Sequence, residues 1–61
     1  MRYFDFLIND ENGNYYRYHD IEAISFSEAV QIAEKMHFAE HPKAKIYSYN
    51  CYEKGGKEWL H

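Results

Sequence analysis

Ile21-Glu22-Ala23-Ile24-Ser25-Phe26-Ser27-Glu28-Ala29-Val30-Gln31-Ile32-Ala33-Glu34-Lys35-Met36-His37 is the only stretch of the chain that reads as a helix. Ser25 followed three residues later by Glu28 forms a capping box: the Ser25 hydroxyl accepts from the Glu28 N–H, and the Glu28 carboxylate returns to the Ser25 N–H. Ile24, just before the cap, is placed to staple onto the first turns. At 100° per residue, Phe26, Ala29, Val30, Ala33, Met36 and His37 share one face, with Ile32 at its edge. Glu28, Gln31, Glu34 and Lys35 look away. The spacing predicts a helix over 26–39, stopped ahead of His41-Pro42 because proline disfavours helical geometry in the residue before it. One helix with a single apolar stripe needs one sheet to cover it.

That sheet is assembled from the flanks. Residues 2–9 alternate Phe4, Phe6 and Ile8 against Tyr3, Asp5 and Leu7, and the first set is the better core. Asn12-Gly13 supplies a tight turn, and 14–23 is its hairpin partner. In that partner Ile21 and Ala23 should meet the core, yet unbroken alternation would then bury Arg17 as well. A bulge near His19 or Asp20 removes the conflict by shifting the alternation. Residues 44–53 form a third strand whose inward parity stays open between the Tyr47, Tyr49 set and the Ile46, Ser48 set. Lys54-Gly55-Gly56-Lys57 reads as a second turn and Glu58 to His61 as a short returning strand. The expected architecture is α+β: a ββαββ single domain over 1–61, with one antiparallel four-stranded sheet and a single helix packed on one face.

Sixty-one residues carry a net charge of −3, seven tyrosines, four phenylalanines and one tryptophan. A negative balance argues against a protein that grips phosphates, because that mode needs clustered Lys and Arg. So many rings exceed what a small core holds, so some must lie outside. With the helix on one face, Tyr3, Leu7, Tyr16, Tyr18 and either Tyr47 with Tyr49 or Tyr52 are expected on the uncovered face, as the kind of contact surface enriched in protein interfaces. Phe38 projects from the side of the helix opposite the core stripe.

The sequence shows no constellation for catalysis. His37 and His41 have the i, i+4 spacing of a zinc pair, but His19, Cys51 and His61 complete no recognised ligand set, so neither metal nor cofactor is expected. His37 reads as a partly buried edge residue. Cys51 has no base tied to it by motif, and the glycines at 13, 55 and 56 open no helix and so form no phosphate loop. Met1 to Ile8 is interrupted by Asp5 and runs into Asn9, Asp10 and Glu11, unlike a secretory signal. No apolar run approaches the ~20 residues of a membrane span. A cytoplasmic, non-enzymatic protein is expected.

At Ile21-Glu22-Ala23, Ser25, Ser27-Glu28-Ala29, Ile32-Ala33 and Lys35, and again at Glu53-Lys54, Gly56-Lys57 and Trp59, the chain resembles the small phage-encoded anti-CRISPR proteins that inhibit the type I-F surveillance complex. The resemblance covers somewhat under half the chain. It implies a viral, non-enzymatic protein acting in the host cytoplasm, which docks on a CRISPR-Cas effector subunit and obstructs target nucleic acid. The helix here has Val30 and Gln31 where that family carries basic residues, leaving Lys35 with His37 nearby. The partner-binding residues expected from residues and resemblance together are Tyr16, Tyr18, Lys35, His37, Phe38, Tyr47 and Tyr49. The alternatives are a homodimeric structural or regulatory module and, third, a weak nucleic-acid binder.

Overall fold

The computed structural model of the protein describes residues 1–54. Strand β1 spans Arg2–Asp10, β2 Tyr15–Ala23, helix α1 Phe26–Glu40 and β3 Ile46–Lys54. The sheet is antiparallel with order β2-β1-β3, so β1 is the central strand. Its alternation does what the sequence requires: Phe4, Phe6 and Ile8 are buried on the helix side. Tyr18, Ile21, Ala23, Ala29 and Ala33 complete the core. The two alanines leave room on the helix side for the large side chains that the sheet sends into the core, Phe4, Phe6, Ile8 and Tyr18.

The expected four-stranded sheet is corrected: among the described residues it has three strands. Strand β3 continues through Lys54 and pairs along β1 from Asp10↔Ile46 to Tyr3↔Lys54. Lys54 is therefore a strand residue, and the rest of the turn expected at 54–57 lies outside the described residues. Lys54 is anchored by its ammonium, 2.7 Å from Asp20 Oδ1 and 3.7 Å from Asp5 Oδ1. The returning strand expected at Glu58 to His61 lies outside the described residues.

Two bulges set which side chains face the helix. On β2, Phe4 pairs with Ile21 and Phe6 with Tyr18, so His19 and Asp20 together oppose Asp5. Asp20 takes the left-handed φ of 57°, and its N–H donates to Asp5 Oδ1 at 3.0 Å. The bulge foreseen at this point exists, and it lets Tyr16, Tyr18, Ile21 and Ala23 share the helix side while Arg17 stays out. On β3, Asn9 pairs with Ser48 and Asp10 with Ile46, leaving Tyr47 as the extra residue. Ile46 thereby reaches the core, and Tyr47 is 77% exposed.

The helix is capped nearly as the sequence reads. Ser25 Oγ accepts from the Glu28 N–H at 3.2 Å, but Glu28 Oε1 accepts from Ile24 N–H at 2.9 Å, one residue earlier than the standard box. Ile24 is exposed and does not staple. At the other end the His41 N–H donates to His37 O at 2.7 Å.

Candidate interaction surfaces

The polar side chains with the most chemical potential are used internally. Asp10, on the helix side at the end of β1, accepts from the Asn12 and Asn14 N–H groups, the Asn14 side-chain amide and the Tyr16 hydroxyl, all within 2.8–3.0 Å. The Asn14 amide leads these donors in holding the Asp10 carboxyl down at about 2, against the opposing effect of burial. The same bond to Asp10 raises the Tyr16 phenol. The hairpin turn is thus closed around a carboxylate whose hydrogen-bonding capacity is spent.

Next to it lies a stack of rings. Tyr16 sits edge-on to His37 at 4.9 Å and tilted over His41 at 4.5 Å. His37 is fully buried. Its Nε2 lies 2.6 Å from the Ala44 carbonyl and its Nδ1 3.1 Å from the Tyr18 hydroxyl. A carbonyl only accepts, so Nε2 carries a proton, and in the neutral ring Nδ1 accepts from the Tyr18 hydroxyl. Burial raises the Tyr18 phenol and the Glu40 charge adds to it, which keeps that hydroxyl a donor. The ring joins β2, α1 and the segment leading into β3.

These placements correct three of the expected contact residues. Tyr16 and Tyr18 were assigned to the uncovered face; both face the helix, because Ile8↔Tyr16 and Phe6↔Tyr18 share a side with the core residues of β1. Tyr18 is buried and Tyr16 half-buried. His37 was placed at the edge of the helix and is wholly inside. None of the three offers a partner more than part of a ring without repacking the core.

The remaining four lie at the surface, in two places. Lys35 and Phe38 meet on the outer side of α1, where with Gln31, Glu34 and Ala39 they border a shallow groove of about 590 Å³. Phe38 is 42% exposed there. Tyr47 and Tyr49 are on β3, and Tyr49 leans on Phe6 with ring centroids 5.8 Å apart. The register also settles the parity left open in the sequence: Tyr49, Cys51 and Glu53 share the helix side, while Ser48, Asn50, Tyr52 and Lys54 share the uncovered side with Tyr3, Asp5, Leu7 and Asn9.

The sheet face away from the helix holds features the expected contact set omits. Arg17 pairs across from Leu7 and Tyr52 across from Asp5, and these four line a concavity with His19. Arg17 was visible in the sequence only as a residue that resisted burial. The bulge that keeps it out also collects His19 on the same side.

Among the described residues no group of three or more His, Cys, Asp or Glu side chains is placed to hold a metal ion. Nor is any helix there long and apolar enough to cross a membrane. Burial pushes the Cys51 thiol up, away from the reactive thiolate. No family model, no curated protein and no solved structure matches this chain.

Proposed function

We propose that this chain is a non-enzymatic binding protein, encoded by a phage or mobile element, that acts in the host cytoplasm by occupying a surface on a CRISPR-Cas effector complex and blocking its target nucleic acid. The observation that carries the binding role is Phe38: a half-exposed ring on the outer helix face, bordered by Gln31, Glu34 and Lys35. An aromatic anchor ringed by polar side chains is the composition of an interface hot spot. The choice of a CRISPR-Cas complex rests on the resemblance. Of the residues that carry the resemblance, Ile21, Ala23, Ala29 and Ala33 build the core and Ser25 with Glu28 caps the helix. Only Lys35 among the helix residues in that set stands at the proposed contact.

The test uses immobilised tagged protein and purified type I-F surveillance complex. Retention of the complex, reduced about ten-fold or more by a Phe38→Ala/Lys35→Glu variant of unchanged melting temperature, is the expected result. A wild-type chain that fails to retain the complex refutes the partner. If it retains only further copies of itself, the homodimer replaces this reading.

A further inference from the structure

On the sheet face away from the helix, the cross-strand row Arg17, Leu7, Asn50 lies next to the row formed by His19 with Asp20, Asp5 and Tyr52. Between these rows is a concavity of about 220 Å³, lined by Asp5, Phe6, Leu7, Arg17, His19 and Tyr52. That is below the ~300–1,000 Å³ of small-molecule pockets, and suits a single side-chain head group. Its apolar part is Leu7 and the largely exposed ring of Tyr52.

Its charge comes from Arg17. The carboxylates nearby already have partners within the protein: Lys54 lies against Asp20 and Asp5, and His19 Nδ1 is 3.5 Å from Asp5 Oδ2. Burial works to raise the Asp5 carboxyl, but the Asp20 N–H, His19 and Lys54 together bring it below its ordinary range, so its charge is answered within the protein. Arg17 is exposed and forms no ion pair among the described residues. A planar guanidinium beside an apolar floor and an aromatic wall matches a carboxylate carried between apolar neighbours. A nucleic-acid strand fits less well, because a phosphate track needs several free cations and this face presents Glu22 and Asp20 instead.

We infer that this concavity is a second binding site, independent of the helix surface, whose occupant is an acidic side chain of a partner protein paired with Arg17 and packed on Leu7 and Tyr52. Because the site is independent, it stands whether or not the partner belongs to a CRISPR-Cas complex.

The probes are acetyl-Phe-Glu-Phe-amide, its Gln counterpart and a short oligouridylate, each titrated into isotope-labelled protein and followed by NMR. The Glu peptide should shift the Arg17 Nε–H and Leu7 methyl signals saturably. The Gln peptide should bind about ten-fold more weakly, as loss of a charge-assisted pair implies. An Arg17→Gln variant, folded by circular dichroism, should erase that difference. Equal binding of the two peptides, shifts confined to the outer helix face, or no saturable shift with either peptide overturns the proposal. So does an oligouridylate that binds the same residues more tightly than the Glu peptide, which would assign the face to nucleic acid.

Discussion

The Tyr18 hydroxyl donates to His37 Nδ1 across 3.1 Å of fully buried space, and the opposite nitrogen of the same ring donates to the Ala44 carbonyl at 2.6 Å. A single imidazole thereby satisfies a side chain of β2 and a backbone group of the connection to β3. His37→Ala removes both partners at once and leaves a cavity. It should cost about 3 kcal/mol or more in urea unfolding, combining lost packing with stranded polar groups. Tyr18→Phe strands only Nδ1 and should cost about 1 kcal/mol.

Asp10 makes the protein sensitive to acid. Its folded-state pKa of about 2 lies below the ~3.9 of an unfolded aspartate, so the unfolded chain binds the proton more tightly. The Asp10 contribution is therefore complete above pH ~4 and is lost as the pH falls toward about 2. Melting temperatures taken across that range should fall with pH in the native protein. Asp10→Asn should melt lower at neutral pH and show a flatter acid limb.

Ala33 is on the core face of the helix and is almost wholly buried. Ala33→Leu places three extra carbons where no space exists, and the expected cost is about 1–3 kcal/mol from overpacking. Chemical denaturation reads it directly. A variant as stable as the native protein would show that the helix can lift off the sheet without penalty.

The bulge at Asp20 depends on a left-handed backbone, φ 57°. Asp20→Val puts a β-branched side chain there and should lose about 1–2 kcal/mol relative to Asp20→Gly. Both variants lose the ion pair with Lys54, so their difference isolates the backbone conformation. Equal stabilities would mean the bulge relaxes to another geometry.

Several features of the fold were legible because they depend on near neighbours in the chain. The Ser25 cap, the Ala29 and Ala33 positions of the helix stripe, and the alternation of Phe4, Phe6 and Ile8 each follow from local periodicity, whereas Phe26 and Met36, read into the same stripe, are exposed. The bulge at His19 and Asp20 was legible for a different reason. It is the sole way to bury Ile21 without also burying Arg17.

The site was less legible. Of the seven contact residues expected, Lys35, Phe38, Tyr47 and Tyr49 lie at the surface, while Tyr16, Tyr18 and His37 face inward. The same bulge explains the error. It shifts the parity between the two halves of β2, so a side assigned from the Ile21 end is wrong for Tyr16 and Tyr18 only if the shift is ignored.

The amino-acid sequence by itself determined the helix with its cap, the hairpin turn at Asn12-Gly13 and the inward face of β1, since turn chemistry and hydrophobic period act over a few residues. Only the tertiary structure decided that β1 is central, that β3 runs on through Lys54, and that His37 joins Tyr18 to Ala44. Those outcomes depend on register between strands far apart in the chain, where a one-residue slip reverses every side chain. The placing of Arg17 beside Leu7 and Tyr52 was decided the same way, because three strands must be aligned before all three residues are neighbours.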